Sequence, residues 1–172
     1  MTVSYCIPTH DSNPKCQTYL FDIFYALSEQ TDMNFNVWIS DHGKTDKVLN
    51  ACKEYSDLFQ INYVRNTNNL GNISANTNHA LRHADGDILK VLFSDDFILT
   101  RTLTEDLHKA VKLDVDWAVT GVAHTLDNGQ THYNPKVPVW NDRLLEGVNT
   151  LSSPSILACL LYTSDAADEK YR

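Results

Sequence analysis

ISANTNHALRHADGDILKVLFSDD, residues 73–96, is the stretch that decides the fold class of this chain. Its first part spaces apolar residues as one face of a helix does and predicts a helix over residues 73–83. Its second part is a strongly apolar run over residues 88–93, which predicts a strand. The run leads directly into Ser94-Asp95-Asp96. A helix therefore precedes a strand whose carboxyl end is acidic.

The same alternation extends along most of the chain. Strands are predicted at residues 3–7, 35–39, 61–64 and 117–123, and helices at residues 15–30, 45–55 and 103–113. Such alternation packs as a mostly parallel sheet with helices on both faces and right-handed crossovers. Beyond Val122 the pattern changes to an Asn128-Gly129 hairpin signal and a stretch with two prolines at residues 134–138. We therefore predict an α/β fold.

Composition and charge exclude several classes of protein. The chain has 172 residues, 42% of them hydrophobic, and carries 22 acidic against 14 basic side chains for a net charge of -8. Nucleic acid is not an expected partner, because affinity for its phosphate backbone comes from clustered Lys and Arg. No apolar run reaches the roughly 20 residues of a membrane span, and the first residues lack the features of a signal peptide. We expect a cytoplasmic location, and membrane association of a longer protein stays open.

The four cysteines of the sequence form no recognisable motif. Cys6, Cys16, Cys52 and Cys159 show no C-x-x-C spacing, so neither a zinc site nor a disulfide framework is predicted.

Residues 159–172 change character abruptly and match one reading frame of a transposon-end sequencing adapter. We therefore expect residues 1–158 to be native and residues 159–172 to be an adapter translation. A genomic sequence that encodes residues 159–172 at this place would contradict that expectation.

The carboxyl ends of three predicted strands carry polar residues. The first strand ends near Thr9 and His10, the second near Asp41, and the fourth near Asp95 and Asp96. In an open α/β sheet the ligand binds outside these ends, where the strand order reverses. We therefore expect these side chains to converge on one crevice. The glycine-rich motifs of dinucleotide-binding and P-loop proteins and the G-x-S-x-G motif of hydrolases are absent from the sequence, which disfavours those classes.

Asp95 and Asp96 are the most informative candidates for chemistry. Adjacent carboxylates after an apolar strand supply hard oxygen ligands, so one could bind Mg²⁺ or Mn²⁺ while the other binds a ribose hydroxyl. The alternative is a loop in which an Asp caps the next helix. Asp41 has a similar ambiguity, because Asp-His-Gly is also a common turn.

Two polar pairs lie on the helix predicted over residues 73–83. His79 and His83 stand four residues apart, a spacing that can bind zinc, but no third ligand and no H-E-x-x-H pattern accompanies them. We expect both histidines to face solvent. Asn76 and Asn78 stand in the first turns, where Asn commonly satisfies free backbone groups, and ligand contact is the less favoured interpretation.

Together these motifs resemble one family. Residues 3–10, 38–46 and 71–96 resemble, in order and spacing, the inverting nucleotide-sugar glycosyltransferases of family 2, which have the GT-A fold. The third block is the most specific, because it looks like the lead-in to that family's metal motif. The resemblance covers nearly all of residues 1–158. It implies a GT-A, Rossmann-like, mostly parallel sheet whose C-terminal part is incomplete.

The resemblance also implies roles for individual residues. Thr9 and His10 would border the nucleotide base, and Asp41 would accept a hydrogen bond from the base, typically uracil. Asp95 would hold the ribose. Asp96, beside Asp95, would coordinate the divalent cation, Mn²⁺ or Mg²⁺, that bridges the donor diphosphate. Such a cation neutralises the charge that develops on the departing nucleoside diphosphate.

Two positions depart from the family's pattern. Phe93 stands where many members carry an earlier Asp, so the cation would rest on fewer carboxylates. An Arg that many relatives place after Ser74 is replaced by Asn in this chain. We nevertheless count Asn76 among the predicted nucleotide-binding residues.

The activity implied by the resemblance is transfer of a sugar, of the hexosyl type, from a nucleoside-diphosphate sugar with inversion. The donor would be a UDP-sugar, the acceptor an unknown saccharide, lipid or protein, and the setting cell-surface polysaccharide biosynthesis. An inverting transfer needs a carboxylate base, which the family supplies after the metal motif, in a region beyond Ala158. We therefore expect residues 1–158 to bind nucleotide and metal without turnover.

Two alternatives stay open at this point. One is a noncatalytic nucleotide-sugar-binding module, which only the sequence downstream of the metal motif would separate from an enzyme. The other is a nucleotidyltransferase, which would carry a glycine-rich loop with Arg or Lys after the first strand. Residues 9–16 contain no Gly and, of Lys and Arg, only Lys15, which disfavours that alternative.

Overall fold

Strands and helices alternate along the chain as the sequence predicts. The structure, a computed structural model, describes residues 1–113, 115–125, 131–136 and 154–160. The strands are β1 Val3–Thr9, β2 Phe35–Asp41, β3 Ile61–Arg65, β4 Ile88–Val91, β5 Trp117–Val119, β6 Val122–Thr125, β7 Thr131–Lys136 and β8 Leu157–Leu160. The helices are α1 Cys16–Ser28, α2 Lys47–Tyr55, α3 Ile73–His83 and α4 Leu103–Val111, and a single 3-10 turn, Pro154–Ile156, precedes β8.

Six strands form one sheet in the order β3-β2-β1-β4-β8-β5. The pairs β1–β2, β1–β4 and β2–β3 are parallel, whereas β8 runs antiparallel to both β4 and β5. The predicted α/β class with a mostly parallel sheet is therefore confirmed. The strand predicted over residues 117–123 divides in two, because β5 pairs with β8 while β6 forms a separate hairpin with β7. The hairpin occurs where Asn128-Gly129 indicates one, although those two residues lie outside the described part.

Most of the core lies on one face of the sheet. Alternate residues of β1, namely Val3, Tyr5 and Ile7, are fully buried there. They pack with residues from β2 and β4 against apolar residues of α1, α2 and α4. Every residue of β1 is buried, because the opposite face of the sheet is covered as well, whereas α1 buries a single helical stripe. Fully burying each large apolar side chain contributes about 1.5–3 kcal/mol, so this face supplies most of the hydrophobic stabilisation.

The opposite face of the sheet is covered by α3 and is more polar. A small apolar cluster joins Cys6 and Leu89 to Ala80 of α3. Beside it, the buried Ser4 hydroxyl donates to Asn36 Oδ1 at 2.7 Å and accepts from the Gly86 backbone N–H at 2.9 Å. This face therefore relies on hydrogen bonds as well as packing to hold α3 in place.

The last described strand includes the start of the unusual C-terminal segment. Ala158, Cys159 and Leu160 pair with β4, and Ala158 and Leu160 are buried. The boundary predicted at residue 158 thus falls inside β8, and residues 161–172 lie outside the described part. Among the described residues, none of the helices combines the length and apolar character needed to cross a bilayer.

Candidate functional site

The sheet topology places the candidate residues at one edge. The first strand lies between β2 and β4, so the strand order reverses at β1. Thr9, the last residue of β1, pairs in register with Asp41, the last residue of β2. Leu92 N donates to Cys6 O at 3.0 Å, which continues the pairing of β1 with the chain that leads to Asp95 and Asp96. The predicted carboxyl ends therefore meet at the switch point.

Asp41 is fully buried and is held by the protein itself, with an exposed fraction of 0%. Its Oδ1 accepts from the Gly43 backbone N–H at 2.6 Å, and its Oδ2 accepts from the Tyr63 hydroxyl at 2.7 Å. The Arg65 guanidinium lies 3.9 Å from Oδ2. Each carboxylate oxygen can accept two hydrogen bonds, so Asp41 retains acceptor capacity in a fixed orientation.

Tyr63 and Arg65 of β3 are site residues that sequence reasoning missed. Arg65 Nε donates to the Tyr63 hydroxyl at 2.9 Å, and Arg65 Nη2 donates to Asp46 Oδ1 at 2.8 Å. Burial, followed by the hydrogen bond to Asp41, raises the pKa of Tyr63 to about 12. The phenol therefore stays protonated and can donate to Asp41. Their spacing of two in a strand that pairs with β2 is the signal that could have found them.

The loop after β2 is fastened to the loop after β1 by Asp11. Asp11 Oδ2 accepts from the backbone N–H groups of Lys44 at 3.0 Å and Thr45 at 2.7 Å. Hydrogen bonding, first from the Thr45 side chain, lowers the pKa of Asp11. A Cβ on Gly43 would stand 2.6 Å from Asp41 Oδ1 and 2.8 Å from Asp11 Cγ. Glycine is therefore required where the two carboxylates approach this backbone.

Asn76 holds three segments together. Its Nδ2 donates to the backbone carbonyls of Thr9 at 3.1 Å and Ser40 at 3.0 Å. Its Oδ1 accepts from the Ser40 hydroxyl at 2.7 Å and from Asn66 Nδ2 at 3.2 Å. All four hydrogen-bonding positions of this amide are used, and the residue is 4% exposed. Asn76 thus positions the ends of β1 and β2, and its contact with a nucleotide stays a prediction.

The first turn of α3 is satisfied by a different asparagine. Asn72 precedes the helix, and its Oδ1 accepts from the Ala75 backbone N–H at 3.0 Å. The capping function that the sequence suggested for asparagines within the helix therefore belongs to the residue just before it.

Thr9 and His10 line the end of β1. The Thr9 hydroxyl is buried and has no hydrogen-bond partner among the described residues. The half-exposed His10 accepts from the Ser12 backbone N–H at its Nδ1, at 2.9 Å. Its ring lies edge-to-face with that of His42, with centroids 6.5 Å apart. An unsatisfied buried hydroxyl costs about 1–3 kcal/mol, so Thr9 Oγ1 is a position at which a ligand donor or acceptor would be favourable.

Asp95 and Asp96 follow β4 in a tight turn, closed by a hydrogen bond from Asp96 N to Phe93 O at 3.0 Å. Asp95 is exposed and Asp96 is half-buried. The next helix, α4, is preceded by Thr102, so the alternative in which Asp95 or Asp96 caps it is wrong.

The two carboxylates fit a hard divalent cation. They supply carboxylate oxygens, which are the ligands that Mg²⁺ and Mn²⁺ prefer. In the described ranges no three His, Cys, Asp or Glu side chains gather into a metal cluster. A cation at this place would therefore need oxygens from the bound nucleotide as well as from Asp95 and Asp96.

A buried lysine beside this turn was also not predicted from the sequence. Lys90 of β4 is 1% exposed, and its Nζ donates to the Ser155 carbonyl and, at 3.5 Å, to Thr120 Oγ1. Burial lowers the pKa of Lys90 to about 8, while the charge of Asp96 acts in the opposite direction. Ser155 Oγ also accepts from Phe93 N at 2.8 Å. Lys90 and Ser155 together fix the start of the acidic turn, and a Lys inside an apolar run is the sequence signal for this role.

His79 and His83 differ in exposure. His83 faces solvent as predicted, whereas His79 is half-buried and its Nδ1 lies 2.8 Å from the Ser40 hydroxyl. The expectation of a solvent-facing His79 is therefore wrong, because α3 packs this side chain against β2.

Comparison with solved structures tests the predicted fold. The structure of S. aureus TarS 1-349 in complex with UDP superposes with a TM-score of 0.75 at 20% identity, over 98% of this chain and 49% of that one. Its complex with UDP-GlcNAc gives 0.74 at 21% identity, over 98% and 48%. Mannosyltransferase PcManGT from Pyrobaculum calidifontis, in complex with GDP-Man and Mn²⁺, gives 0.53 at 22% identity, over 92% and 44%. These likenesses confirm the predicted GT-A-like fold.

Sequence comparison assigns the family. The "Uncharacterized glycosyltransferase YfnE" of Bacillus subtilis (strain 168) is 28% identical over 123 residues, which are 71% of this chain and 30% of that protein. The chain thus spans less than a third of this curated relative. The model of Glycosyl transferase family 2 matches residues 4–162. The resemblance seen in the motifs is confirmed, and the chain belongs to glycosyl transferase family 2.

Proposed function

We propose that this chain is the donor-binding part of a glycosyltransferase that uses a nucleoside-diphosphate sugar. The observation that carries the proposal is the convergence, at the switch point of the sheet, of a buried carboxylate acceptor, Asp41, with an acidic turn that contains Asp95 and Asp96. Membership of the family and the nucleotide-sugar complexes of TarS and PcManGT support this choice of ligand.

Within this proposal each side of the crevice binds a different part of the donor. Asp41 accepts the imide N–H of uracil with its remaining lone pairs, and His10 borders the base. The Thr9 hydroxyl hydrogen-bonds to the same nucleotide, which relieves its lack of a partner. Asp95 accepts a ribose hydroxyl. Asp41 is oriented before the ligand arrives, but it is fully buried, so the loops around it must move enough to expose one of its oxygens to the base.

At the diphosphate end, Asp96 and Asp95 would hold Mn²⁺ or Mg²⁺. The acidic turn alone would repel a diphosphate, so a cation reconciles the two charges. When bound, the cation supplies charge neutralisation for the departing nucleoside diphosphate. Lys90 and Ser155 contribute by fixing the turn from which both carboxylates project.

Sugar transfer itself is proposed to proceed with inversion and to need a carboxylate base supplied after residue 158. The acceptor would be a saccharide, lipid or protein, with cell-surface polysaccharide synthesis as the setting. Residues 1–158 alone would bind donor without transferring sugar. Appreciable transfer by residues 1–158 would contradict that part of the proposal.

Calorimetric titration of the chain with UDP, CDP, GDP and ADP in Mn²⁺ tests the proposed donor. We expect UDP to bind most tightly, because cytosine lacks the N3–H that Asp41 would accept and the purines differ in size. An Asp95→Asn variant is expected to weaken UDP binding. The proposal would be overturned if none of the four nucleotides bound, or if all four bound equally in both proteins.

A further inference from the structure

The His79–His83 pair on α3 is a second candidate for metal chemistry, on a different element from the acidic turn that follows β4. The two rings lie against each other, with centroids 4.4 Å apart and planes inclined by 45°. They stand four positions apart on one helix, which places both on the same face. Whether such a pair can bind a metal depends on which ring nitrogens carry protons.

The hydrogen-bond network fixes the tautomer of His79. Asn76 Nδ2 donates to two carbonyl oxygens, so Asn76 Oδ1 is the atom that accepts from the Ser40 hydroxyl. Ser40 has a single hydroxyl hydrogen, which it donates to Asn76 Oδ1. The 2.8 Å contact between Ser40 Oγ and His79 Nδ1 therefore requires Nδ1 to donate. In the neutral ring, the lone pair then resides on Nε2.

The tautomer of His83 follows from a simpler contact. Its Nδ1 lies 2.8 Å from the backbone carbonyl of His79, which can only accept a hydrogen bond. His83 Nδ1 therefore carries the hydrogen, and its Nε2 has the free lone pair. An Nδ1–H bonded to an oxygen is the arrangement that orients metal-binding histidines and raises the basicity of the ligating nitrogen.

We propose that His79 and His83 form a two-histidine site for a borderline transition-metal cation of the Zn²⁺ class. Imidazole nitrogens favour Zn²⁺, Cu²⁺ and Ni²⁺, whereas carboxylates such as Asp95 and Asp96 favour Mg²⁺ and Mn²⁺. Among the described residues no further His, Cys, Asp or Glu joins the pair in a cluster, so water completes the coordination.

The surroundings of the two histidines have opposing effects on the binding of a cation. Burial, and then the neighbouring His83, His42 and Arg82, lower the pKa of His79, which reduces competition by protons for Nε2 near neutral pH. The positive charge of Arg82 also opposes an added cation. We therefore expect a weaker site than a closed structural zinc centre, and one that loses metal as the pH falls and His79 becomes protonated.

Titration of the chain with ZnCl₂ in excess Mg²⁺, which competes with Zn²⁺ for the carboxylate oxygens, tests the proposal. We expect one Zn²⁺ to bind, and His83→Gln to weaken it at least about tenfold. His108→Gln is the matched control, because His108 lies on α4 and its Nδ1 is bonded to Asp32 at 2.8 Å. Cys159→Ser should likewise leave the affinity unchanged, which separates the pair from a thiolate ligand. Absence of Zn²⁺ binding, or equal binding by His83→Gln, would overturn the proposal.

Nitrogen-15 NMR of the imidazole rings gives a second test that needs no variant. Both His79 and His83 should appear as Nδ1–H tautomers without metal, and added Zn²⁺ should shift the Nε2 signals of both. An Nε2–H tautomer at either residue, or a shift confined to one ring, would contradict a shared site.

Discussion

Two strand ends of this molecule have the same dipeptide, Ser40-Asp41 as the last residues of β2 and Ser94-Asp95 shortly after β4, yet the two aspartates differ in burial and in hydrogen bonding. Asp41 is fully buried, and donors from Gly43 and Tyr63 occupy one position on each of its oxygens. Asp95 is exposed on a turn. On one side of the crevice the protein's own hydrogen bonds fix the carboxylate of Asp41 before any ligand binds. On the other side the carboxylate of Asp95 is exposed and stays accessible to a ligand or a cation.

The difference arises from what surrounds each end. The end of β2 is enclosed by β1 and β3, the Asp11 loop and α3. In such surroundings a carboxylate is tolerated only when it is hydrogen-bonded or paired. The turn after β4 is held chiefly through its backbone, by Ser155 and by its own Asp96–Phe93 hydrogen bond. Substitutions at the two ends should therefore affect different measurable quantities.

Asp41→Asn should give the largest loss of stability. The substitution replaces an oxygen that accepts from Tyr63 with a group that can donate, and removes the charge opposite Arg65. We expect the free energy of unfolding to fall by about 3 kcal/mol, measured by urea denaturation. Asp95→Asn is the matched control and should change it by less than about 0.5 kcal/mol. Equal losses in the two variants would remove the distinction between the two strand ends.

Gly43→Ala should be the next most harmful change. The added methyl group would stand 2.6 Å from Asp41 Oδ1 and 2.8 Å from Asp11 Cγ, both parts of the enclosed side. We expect a loss of about 2 kcal/mol in urea denaturation, because the two carboxylates must move. Gly121→Ala is a useful control, since nothing in the described part lies within 4 Å of the position its methyl group would take. If Gly43→Ala left the free energy of unfolding unchanged, the loop after β2 would be less tightly packed than the structure shows.

Tyr63→Phe should cost less, because it removes one hydroxyl and leaves the ring. The hydroxyl donates to Asp41 Oδ2 and accepts from Arg65 Nε, so both partners lose a neighbour. We expect about 1 kcal/mol of lost stability and weaker UDP binding, measured by denaturation and calorimetry. Tyr19→Phe, on α1 and outside this network, should change neither quantity. UDP binding that is unaltered in Tyr63→Phe would argue against Asp41 as the base acceptor.

The smallest effect concerns pH. The pKa of Asp11 is lowered in the folded state, so its contribution is present above the pKa of the unfolded chain and is lost as pH falls through the folded value. Wild type should therefore exceed Asp11→Asn in stability near pH 7, and the gap should close below about pH 4. Denaturation at several pH values measures the gap. A gap that widens on acidification would contradict the bonds from Asp11 to Lys44 and Thr45.

Much of the fold follows from local pattern. The helix predicted over residues 73–83 coincides with α3, and the strands predicted from 3, 35, 61 and 88 begin where β1, β2, β3 and β4 do. Their periodicity is set by which face meets the core, so it can be counted in the sequence. The division of the 117–123 strand was not predictable, because it depends on pairing with β8 about forty residues later.

The site was less predictable than the fold. Thr9, Asp41 and the acidic turn could be predicted as site residues from the strand ends, because topology alone brings them to one edge of the sheet. The partners that fix them, Tyr63 of β3 and Ser155 just before β8, come from segments whose register no local pattern specifies. Asn76 was counted among the nucleotide-binding residues with the family resemblance, whereas its four hydrogen bonds in the structure are all to the protein, which no local pattern reveals.

Calorimetric titration with UDP, with and without Mn²⁺, in wild type and Asp96→Asn tests the central contrast most directly. The wild type should bind UDP at least about tenfold more tightly with Mn²⁺, whereas Asp96→Asn should bind equally weakly in both conditions. Metal-independent binding by the wild type, or metal dependence retained in Asp96→Asn, would contradict the division of the crevice into a prebuilt base side and a cation side.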